Sequence, residues 1–392
     1  MKLLIYTHEF PPFLGGLATT SRKLARGISQ SDMDIVVLAP AYSSEDSIID
    51  AELTCKVTRI PGLGKKWVKK IPFLEIVLGW ICLLQTLSKE QPDSVIFITE
   101  EAEVVGGLLP LYNFNPIVRI AGSGITTCFY GRNFFKRLMR FPMKRLYDKA
   151  AKIIAVSNNT KELIQSVGVP EDKIEVVYNG VEDYMLSKEA DVEAINRIRD
   201  RYGILEADKV LVTVARVLPR KGQDTVIKAL PRVLTEFPDL KYLIVGDGRY
   251  RDKFSDLAKE IGVSDNVIFA GGVSHDETIS YFDLCDIFIM PNRFWNNKVE
   301  GLPNALIEAS ARSKPLIAGD HGGSKEAVIN NKTGILVNSE SADDVAEAIL
   351  SILRDKKTGL EMGKLGRENI INQHTELTMI ANYISAIKRA SQ

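Results

Sequence analysis

The sequence predicts an α/β protein made of two doubly wound, Rossmann-like domains, each a parallel sheet covered by helices, facing one another across a central cleft. Three observations predict it. Short β-branched runs alternate with longer stretches of helical period along the whole chain, which is the pattern of strand–helix–strand crossovers. At 392 residues the chain exceeds what one hydrophobic core organises and suits two domains. The series of strands also stops once and restarts, so each half carries its own sheet.

In the first half the strand candidates are Leu3–Tyr6, Ile35–Ala39, Val57–Ile60, Val95–Ile98, Ile117–Ile120, Ile153–Val156 and Ile174–Val177. In the second they are Val210–Val214, Tyr242–Val245, Val267–Phe269, Ile287–Met290, Leu316–Ala318 and Ile335–Val337. The break follows Asn179-Gly180-Val181, where a segment rich in Glu and Asp begins. Residues 1–180 form the expected first domain and 181–375 the second, with a last helix over 376–392 returning to the first. Open parallel sheets bind ligands at the carboxyl ends of their strands, so the cleft is the place to look for chemistry.

Composition excludes several classes. The chain is 45% apolar and 26% charged with a formal charge of zero, which argues against disorder and gives no general pull toward nucleic acid. Residues 1–180 nonetheless hold 22 Lys and Arg against 18 Asp and Glu, an excess of four positive charges that the remainder balances. Cys55, Cys82, Cys128 and Cys285 stand apart without a Cys-x-x-Cys pair, which points to a reducing compartment and no structural zinc. Leu3 starts a strand directly after Lys2, and the apolar run there is too short for a signal peptide, so a cytoplasmic protein is expected. The greasiest stretch, Ile71 to Leu87, contains Glu75 and Gln85 and is shorter than a membrane span. No short-period repeat appears.

Three segments carry chemistry. In Val299-Glu300-Gly301-Leu302-Pro303-Asn304-Ala305-Leu306-Ile307-Glu308, Pro303 suits the first position of a helix and Gly301 permits an unusual turn before it. A diphosphate docks naturally at such a helix N-terminus through free amides and the helix dipole. Glu300 stands in the loop at the mouth and Glu308 more than a turn inside, placed to hold hydroxyls of two parts of one ligand; from spacing alone, two surface charges flanking an ordinary helix would read the same. The second segment, Arg216 to Gly222, follows a strand, and Arg216 and Lys221 are placed to neutralise phosphates, although a solvated basic loop has the same composition. The third, Pro11-Pro12-Phe13-Leu14-Gly15-Gly16-Leu17, pairs glycines that allow a backbone to approach a ligand closely. It is neither Gly-x-Gly-x-x-Gly nor a Walker motif.

In order and spacing these segments resemble the retaining glycosyltransferases of family 4, with the two-domain GT-B fold. Asn179-Gly180-Val181, Gly246-Asp247-Gly248, Phe269 to Val273 and the Glu-x7-Glu pair Glu300 and Glu308 extend the likeness over nearly the whole chain. The resemblance implies transfer of a hexose from a UDP- or GDP-linked sugar to an acceptor, a lipid-linked saccharide or other glycolipid precursor, with no metal cofactor. It implies that Arg216 and Lys221 stabilise the departing diphosphate and that Glu308 binds the ribose. Glu300 would stand beside the donor sugar, and Gly301 to Leu306 would supply amides. Gly15 and Gly16 would meet the phosphate, Gly246 would border the nucleotide, and Val273 would lie against the base. The implied mechanism is front-face substitution without an enzymic nucleophile.

One departure is visible. Many relatives carry His-Gly after a first-domain strand, where this chain reads Ala121-Gly122. Of the histidines only His8 lies early enough to face the cleft from the first domain, while His275, His321 and His374 lack metal-ligand spacing. A non-catalytic sugar-nucleotide-binding protein, an epimerase and a phosphorylase share the two-domain plan. Both glutamates and the cationic pair are nevertheless present, and no cofactor-bearing lysine is indicated.

Two basic and aromatic stretches, Gly64 to Ile71 and Gly131 to Lys149, suggest peripheral contact with the inner face of an anionic membrane. The second is read as a helix with cations Lys136, Arg137, Arg140, Lys144 and Arg145 on one face and aromatics on the other. A soluble helix with its aromatics packed inward is the competing reading.

Overall fold

The computed structural model describes residues 1–13, 15–65 and 67–391. Leu14 of the Pro-Pro loop, Lys66 of the first basic run and Gln392 at the end of the last helix lie outside them. The chain divides into two compact units, Met1–Asn179 with Glu376–Gln392, and Gly180–Thr375.

The first unit holds a seven-stranded sheet of β1 (Lys2–Tyr6), β2 (Asp34–Pro40), β3 (Lys56–Ile60), β4 (Ser94–Phe97), β5 (Asn115–Ile120), β6 (Lys152–Ala155) and β7 (Ile174–Val176), in the order β3-β2-β1-β4-β5-β6-β7. The second unit's six strands, β8 (Val210–Val214), β9 (Lys241–Val245), β10 (Val267–Gly271), β11 (Ile287–Met290), β12 (Leu316–Gly319) and β13 (Gly334–Val337), run β10-β9-β8-β11-β12-β13. All pairings between these strands are parallel, and every strand expected from the sequence is present. The reason is burial on both faces. Along β1, Leu4 and Tyr6 enter one core while Leu3 and Ile5 enter the other, so both faces of the pleat must be apolar and the strand reads as an unbroken run.

Both orders reverse once. In the first unit the chain winds outward from β1 through β2 to β3, then returns to β4 on β1's other side. In the second it winds from β8 through β9 to β10 and returns to β11. The loops after β1 and β4, and those after β8 and β11, therefore lead away on opposite faces and leave a crevice at the carboxyl edge of each sheet.

The helix Glu376–Ala390 belongs to the first unit's core through Met379, Ile380, Tyr383, Ala386 and Ile387. Gly27 lets it approach, since a Cβ there would lie 2.5 Å from Ile380 Cγ1. Arg119 of β5, 1% exposed, donates from Nε to Tyr383 Oη at 3.1 Å and from Nη2 to Asn179 Oδ1 at 3.0 Å. One buried guanidinium thus joins the central sheet, the last helix and the end of the first segment.

The greasy stretch forms the helix Leu74–Glu90, and among the described residues no helix is long and apolar enough to cross a membrane. The basic helix Phe134–Lys149 differs from the expected two-faced arrangement. Phe134, Phe135 and Phe141 are 69%, 55% and 62% exposed, so the three phenylalanines lie in solvent and only Tyr147 among the helix's aromatics is packed inward. Three of the five cations turn to protein acceptors. Lys136 pairs with Glu100, Lys144 with Asp148 at 2.6 Å, and Arg145 Nη1 donates to Gly107 O at 2.9 Å. Met143, Leu146 and Tyr147 are buried in the core and Met139 packs against its edge, so a narrow apolar stripe anchors the helix and leaves its first turn outside.

Candidate functional site

The crevice between β8 and β11 gathers the second-unit residues singled out in the sequence. After β8, the chain passes Arg216 and makes a 3-10 turn over Pro219–Lys221. It then reverses at Gly222, whose φ of 78° is open to glycine, and enters the helix Gln223–Leu234. After β11, residues 291–303 lead to the helix Asn304–Ala311.

Three close approaches lock these loops together. A Cβ on Gly222 would lie 2.1 Å from Pro291 O, one on Gly322 2.4 Å from Glu300 O, and one on Gly323 1.5 Å from Gly301 O. Gly323 also donates its N–H to Glu300 O at 3.0 Å. Beneath them runs a buried polar net in which Ser324 Oγ donates to Asn292 Oδ1 at 2.8 Å and Ser339 Oγ to Asn292 O at 2.8 Å. The loop carrying Glu300 is thus held from below and from the β12 side.

At the centre lies a charge cluster. Lys221 Nζ is 2.9 Å and Arg220 Nε 3.2 Å from Glu300 Oε1, and the three side chains are 14%, 10% and 12% exposed, respectively for Lys221, Arg220 and Glu300. Burial acts to raise the Glu300 carboxyl, but Lys221, Arg220 and Arg216 outweigh it and hold the group below the ordinary carboxylate value. Burial pushes the Lys221 ammonium below its ordinary value, and Arg220 and Arg216 add to this, against the pull of Glu300. Three cations therefore face one carboxylate. Such a site favours a multiply charged anion and supplies both cationic charge and hydrogen-bond donors to it. Among the described residues no three His, Cys, Asp or Glu side chains come together as a metal-binding group.

The helix Asn304–Ala311 starts one residue later than expected, with Pro303 as its cap and no side-chain cap bond. Pro303 has no N–H, and the Leu306 amide already donates to Pro303 O at 3.1 Å. Ala305 remains in the first turn, aligned with the dipole. Gly301 does not take a left-handed φ; the positive values nearby belong to Asn296, Asn297 and Gly322. Leu302 is buried. Glu308, 7% exposed, projects from the helix interior, and among the described residues its carboxylate takes no hydrogen bond or ion pair.

Arg216 is exposed just beyond β8, its carbonyl accepting from Gln223 Nε2 at 3.1 Å. Gly246, at φ 130°, needs no ligand to explain it. Its N–H donates to Gly271 O at 2.7 Å, and a Cβ would lie 2.3 Å from Ala215 O, so it closes the end of β9 onto β8. Val273 lies half-buried in the loop after β10, tied toward β9 by the Gly272 N–H to Asp247 Oδ2 at 2.9 Å.

In the first unit, His8 follows β1 at the corresponding reversal point. It is 5% exposed, with Nε2 2.6 Å from Tyr6 Oη and its N–H on Thr99 Oγ1 at 3.1 Å, just after β4. Gly15 caps the helix Gly16–Ile28 with an extended backbone. The Pro-Pro loop is pinned by Arg59 Nη2 to Pro11 O at 3.0 Å. Ala121 follows β5 directly and precedes Gly122, which has a φ of 96°.

Sequence reasoning passed over Arg220 and the Gly322-Gly323 pair. Arg220 stood inside the basic segment, next to Lys221. Gly322-Gly323 follows a predicted strand just as Gly15-Gly16 does, which was the available signal.

Residues 14–183 match the family model described as Glycosyltransferase Family 4, and residues 194–369 the model described as Glycosyl transferases group 1. A GDP-mannose-dependent alpha-(1-6)-phosphatidylinositol monomannoside mannosyltransferase of Mycobacterium tuberculosis is 30% identical, over 95% of this chain and 94% of its own. An enzyme of the same description from Mycolicibacterium smegmatis is 31% identical, over 100% of each. Among solved structures, HepE of Anabaena in complex with UDP-glucose has a TM-score of 0.81 at 18% identity, covering 99% of each chain. Sucrose-phosphate synthase of Thermosynechococcus elongatus has 0.83 at 19%, covering 99% of this chain and 98% of its own.

The ion pair itself makes a prediction. Lys221→Met should cost up to about 3 kcal/mol of stability, the low end for breaking a buried pair, because Arg220 still faces Glu300. Since the folded-state carboxyl is depressed, Glu300 contributes fully above the ordinary carboxylate value, and the contribution is lost as pH falls through the lowered one. In Lys221→Met that loss should begin at higher pH, read from urea unfolding across acid pH. Equal stability and an equal acid profile in the two proteins would contradict the pairing.

Proposed function

The chain belongs to glycosyltransferase family 4 and has the GT-B fold, and on that premise we propose that it transfers mannose from GDP-mannose to a glycolipid acceptor with retention of anomeric configuration. The observation that carries this reading is the buried Glu300–Lys221–Arg220 cluster in the crevice between β8 and β11, beside the uncapped helix Asn304–Ala311. A nucleoside diphosphate carries the multiple negative charge that this arrangement suits. The mannosyltransferases similar over nearly the whole chain supply the choice of GDP-mannose and of a lipid acceptor.

In the proposed reaction Lys221 and Arg216 stabilise the diphosphate as it departs, assisted by the helix N-terminus, so that no divalent metal is needed. The bond from the anomeric carbon to the phosphate oxygen breaks as one to the acceptor hydroxyl oxygen forms on the same face. The hydroxyl proton passes to the leaving phosphate oxygen. Glu300 holds sugar hydroxyls and Glu308 the ribose, both buried deeply enough for each hydrogen bond to be strong. Replacing a single transition-state donor costs about 10²–10³ in kcat, and Lys221→Ala falls in that class.

Calorimetry against UDP- and GDP-linked sugars tests the donor, and proton NMR of the product tests the stereochemistry. The expected result is binding of GDP-mannose in preference to UDP-sugars and an α-linked product. Binding of no nucleotide sugar would remove the reading, and a β-linked product would remove retention.

For the acceptor side we propose peripheral contact of the first unit with an anionic membrane surface. Support comes from Trp67, 57% exposed, and from the exposed Phe134, Phe135 and Phe141. Phe73 lies 6.0 Å from Phe135 between ring centroids, and the Arg140 guanidinium lies 4.9 Å over Phe141. Exposed aromatics beside a guanidinium group suit a headgroup layer, where each cation is worth about 1 kcal/mol. Arg137→Glu combined with Arg140→Glu should reduce co-sedimentation with phosphatidylserine vesicles about tenfold or more. Unchanged co-sedimentation would contradict the proposal.

A further inference from the structure

Between β11 and Glu300 the chain makes a small hairpin. Trp295 and Lys298 exchange both backbone hydrogen bonds, at 3.2 and 3.0 Å. Asn296 and Asn297 between them take φ values of 51° and 55°, the two left-handed residues of a tight hairpin turn. Arg220 holds both legs of this hairpin. Its carbonyl accepts from the Arg293 N–H at 2.9 Å, and its Nη1 donates to Val299 O at 3.3 Å. The same guanidinium places Nε 3.2 Å from Glu300 Oε1, one residue beyond the second leg. Arg220 is 8% exposed.

Two cations thus share one carboxylate oxygen, and they are tethered differently. Lys221 reaches Glu300 by a flexible four-carbon stem and has three rotatable donors, which suits it to exchange partners. Arg220 presents a planar fork already fixed by Val299 and by the hairpin, which suits it to stay.

We propose that Arg220 is a positioning residue for the transfer reaction, the permanent counter-ion that keeps Glu300 ionised and in place when Lys221 leaves it for the donor diphosphate. This rests on the donor site proposed above. Without Arg220, moving Lys221 onto the diphosphate would strand a buried carboxylate, with only the exposed Arg216 of the neighbouring cations left to compensate it. With Arg220 in place, Lys221 is released at small cost and Glu300 is free to accept from a sugar hydroxyl.

The elements packed against Glu300 carry several charges, its own loop holding Lys298 and Arg293, which pairs with Asp224 at 2.7 Å. The loop after β8 brings Arg216, Arg220 and Lys221. The loop after β12, packed on Glu300 by Gly322 and Gly323, carries Asp320, paired with Lys325 at 3.0 Å, and the exposed His321. The helix Asn304–Ala311 carries Glu308.

Calorimetric titration of the full-length protein with GDP and with GDP-mannose, between about pH 5 and pH 8, separates positioning from direct phosphate binding. Arg220→Met should weaken GDP and GDP-mannose about tenfold or more near pH 8, because Lys221 is then held on Glu300, and the GDP deficit should shrink toward pH 5 as Glu300 takes up a proton. The acid limb of GDP-mannose binding should move up by about one pH unit or more, and Arg220→Lys should restore part of both effects. A GDP deficit that does not change with pH would make Arg220 a phosphate ligand and overturn the inference, as would unchanged binding of both ligands. If the wild type bound neither ligand, the donor reading would fall and this inference with it, a result distinct from any effect of Arg220. The wild-type protein supplies a second measurement that is independent of whether Arg220→Met folds. Exchange of Lys221 from carboxylate to diphosphate raises its proton affinity, so GDP binding in alkaline buffer should take up protons. No uptake would overturn the exchange.

Discussion

A parallel strand can be followed by another only after a crossover that brings the chain back to the same end of the sheet, so every loop leaving a carboxyl end lies along one edge. Where the winding direction reverses, two adjacent strands send their loops to opposite faces, and the edge between them stays open. The arrangement of charge in the second unit depends on this. β8 and β11 are neighbours, with Phe288 opposite Val212, although about 75 residues separate them in sequence. The basic loop and the loop bearing Glu300 meet because the topology offers no other place for them. Glycines then fix the meeting at backbone distance, for any side chain at Gly222 or Gly323 would strike a main-chain oxygen.

The electrostatic consequence follows from burial. Removing a carboxylate and two cations from water costs several kcal/mol per ion, and mutual attraction repays this only with close geometry and further hydrogen bonds. Glu300 has that geometry with Lys221 and Arg220, while the loops around it are held by the Asn292, Ser324 and Ser339 net. The cluster still carries more positive than negative charge, and Glu308 lies buried nearby in the sequence with no internal partner among the described residues. A fold that only needed stability would be served as well by apolar packing here. Retaining the charges accords with a site awaiting a polyanion and a polyol, the combination a sugar nucleotide presents.

The strands were legible because both sheets are covered on both faces, which turns Leu3–Tyr6 or Ile287–Met290 into unbroken apolar runs that few other structures produce. Lys221 and Glu300 were legible as positions at strand ends, but their direct contact was not, since it depends on which strands lie side by side. Arg220 was hidden for the same reason: adjacent charges in a basic loop do not reveal which one turns inward. Gly246 was read as a nucleotide contact, and the close approach of β9 to β8 is a second, structural reason for glycine there that the sequence did not reveal. The helix Phe134–Lys149 misled in another way. Its composition suggested two faces, yet Lys136, Lys144 and Arg145 found acceptors at Glu100, Asp148 and Gly107, partners that no local pattern announces.

The proposed transfer requires a nucleoside diphosphate to bind at the crevice between β8 and β11 and to take Lys221 from Glu300. A crystal structure of the protein with GDP tests this most directly. Phosphate oxygens should lie within hydrogen-bond reach of Lys221 Nζ and the Ala305 amide, with Arg220 still on Glu300. A nucleotide bound elsewhere, or bound here with the Lys221–Glu300 pair intact, would contradict it.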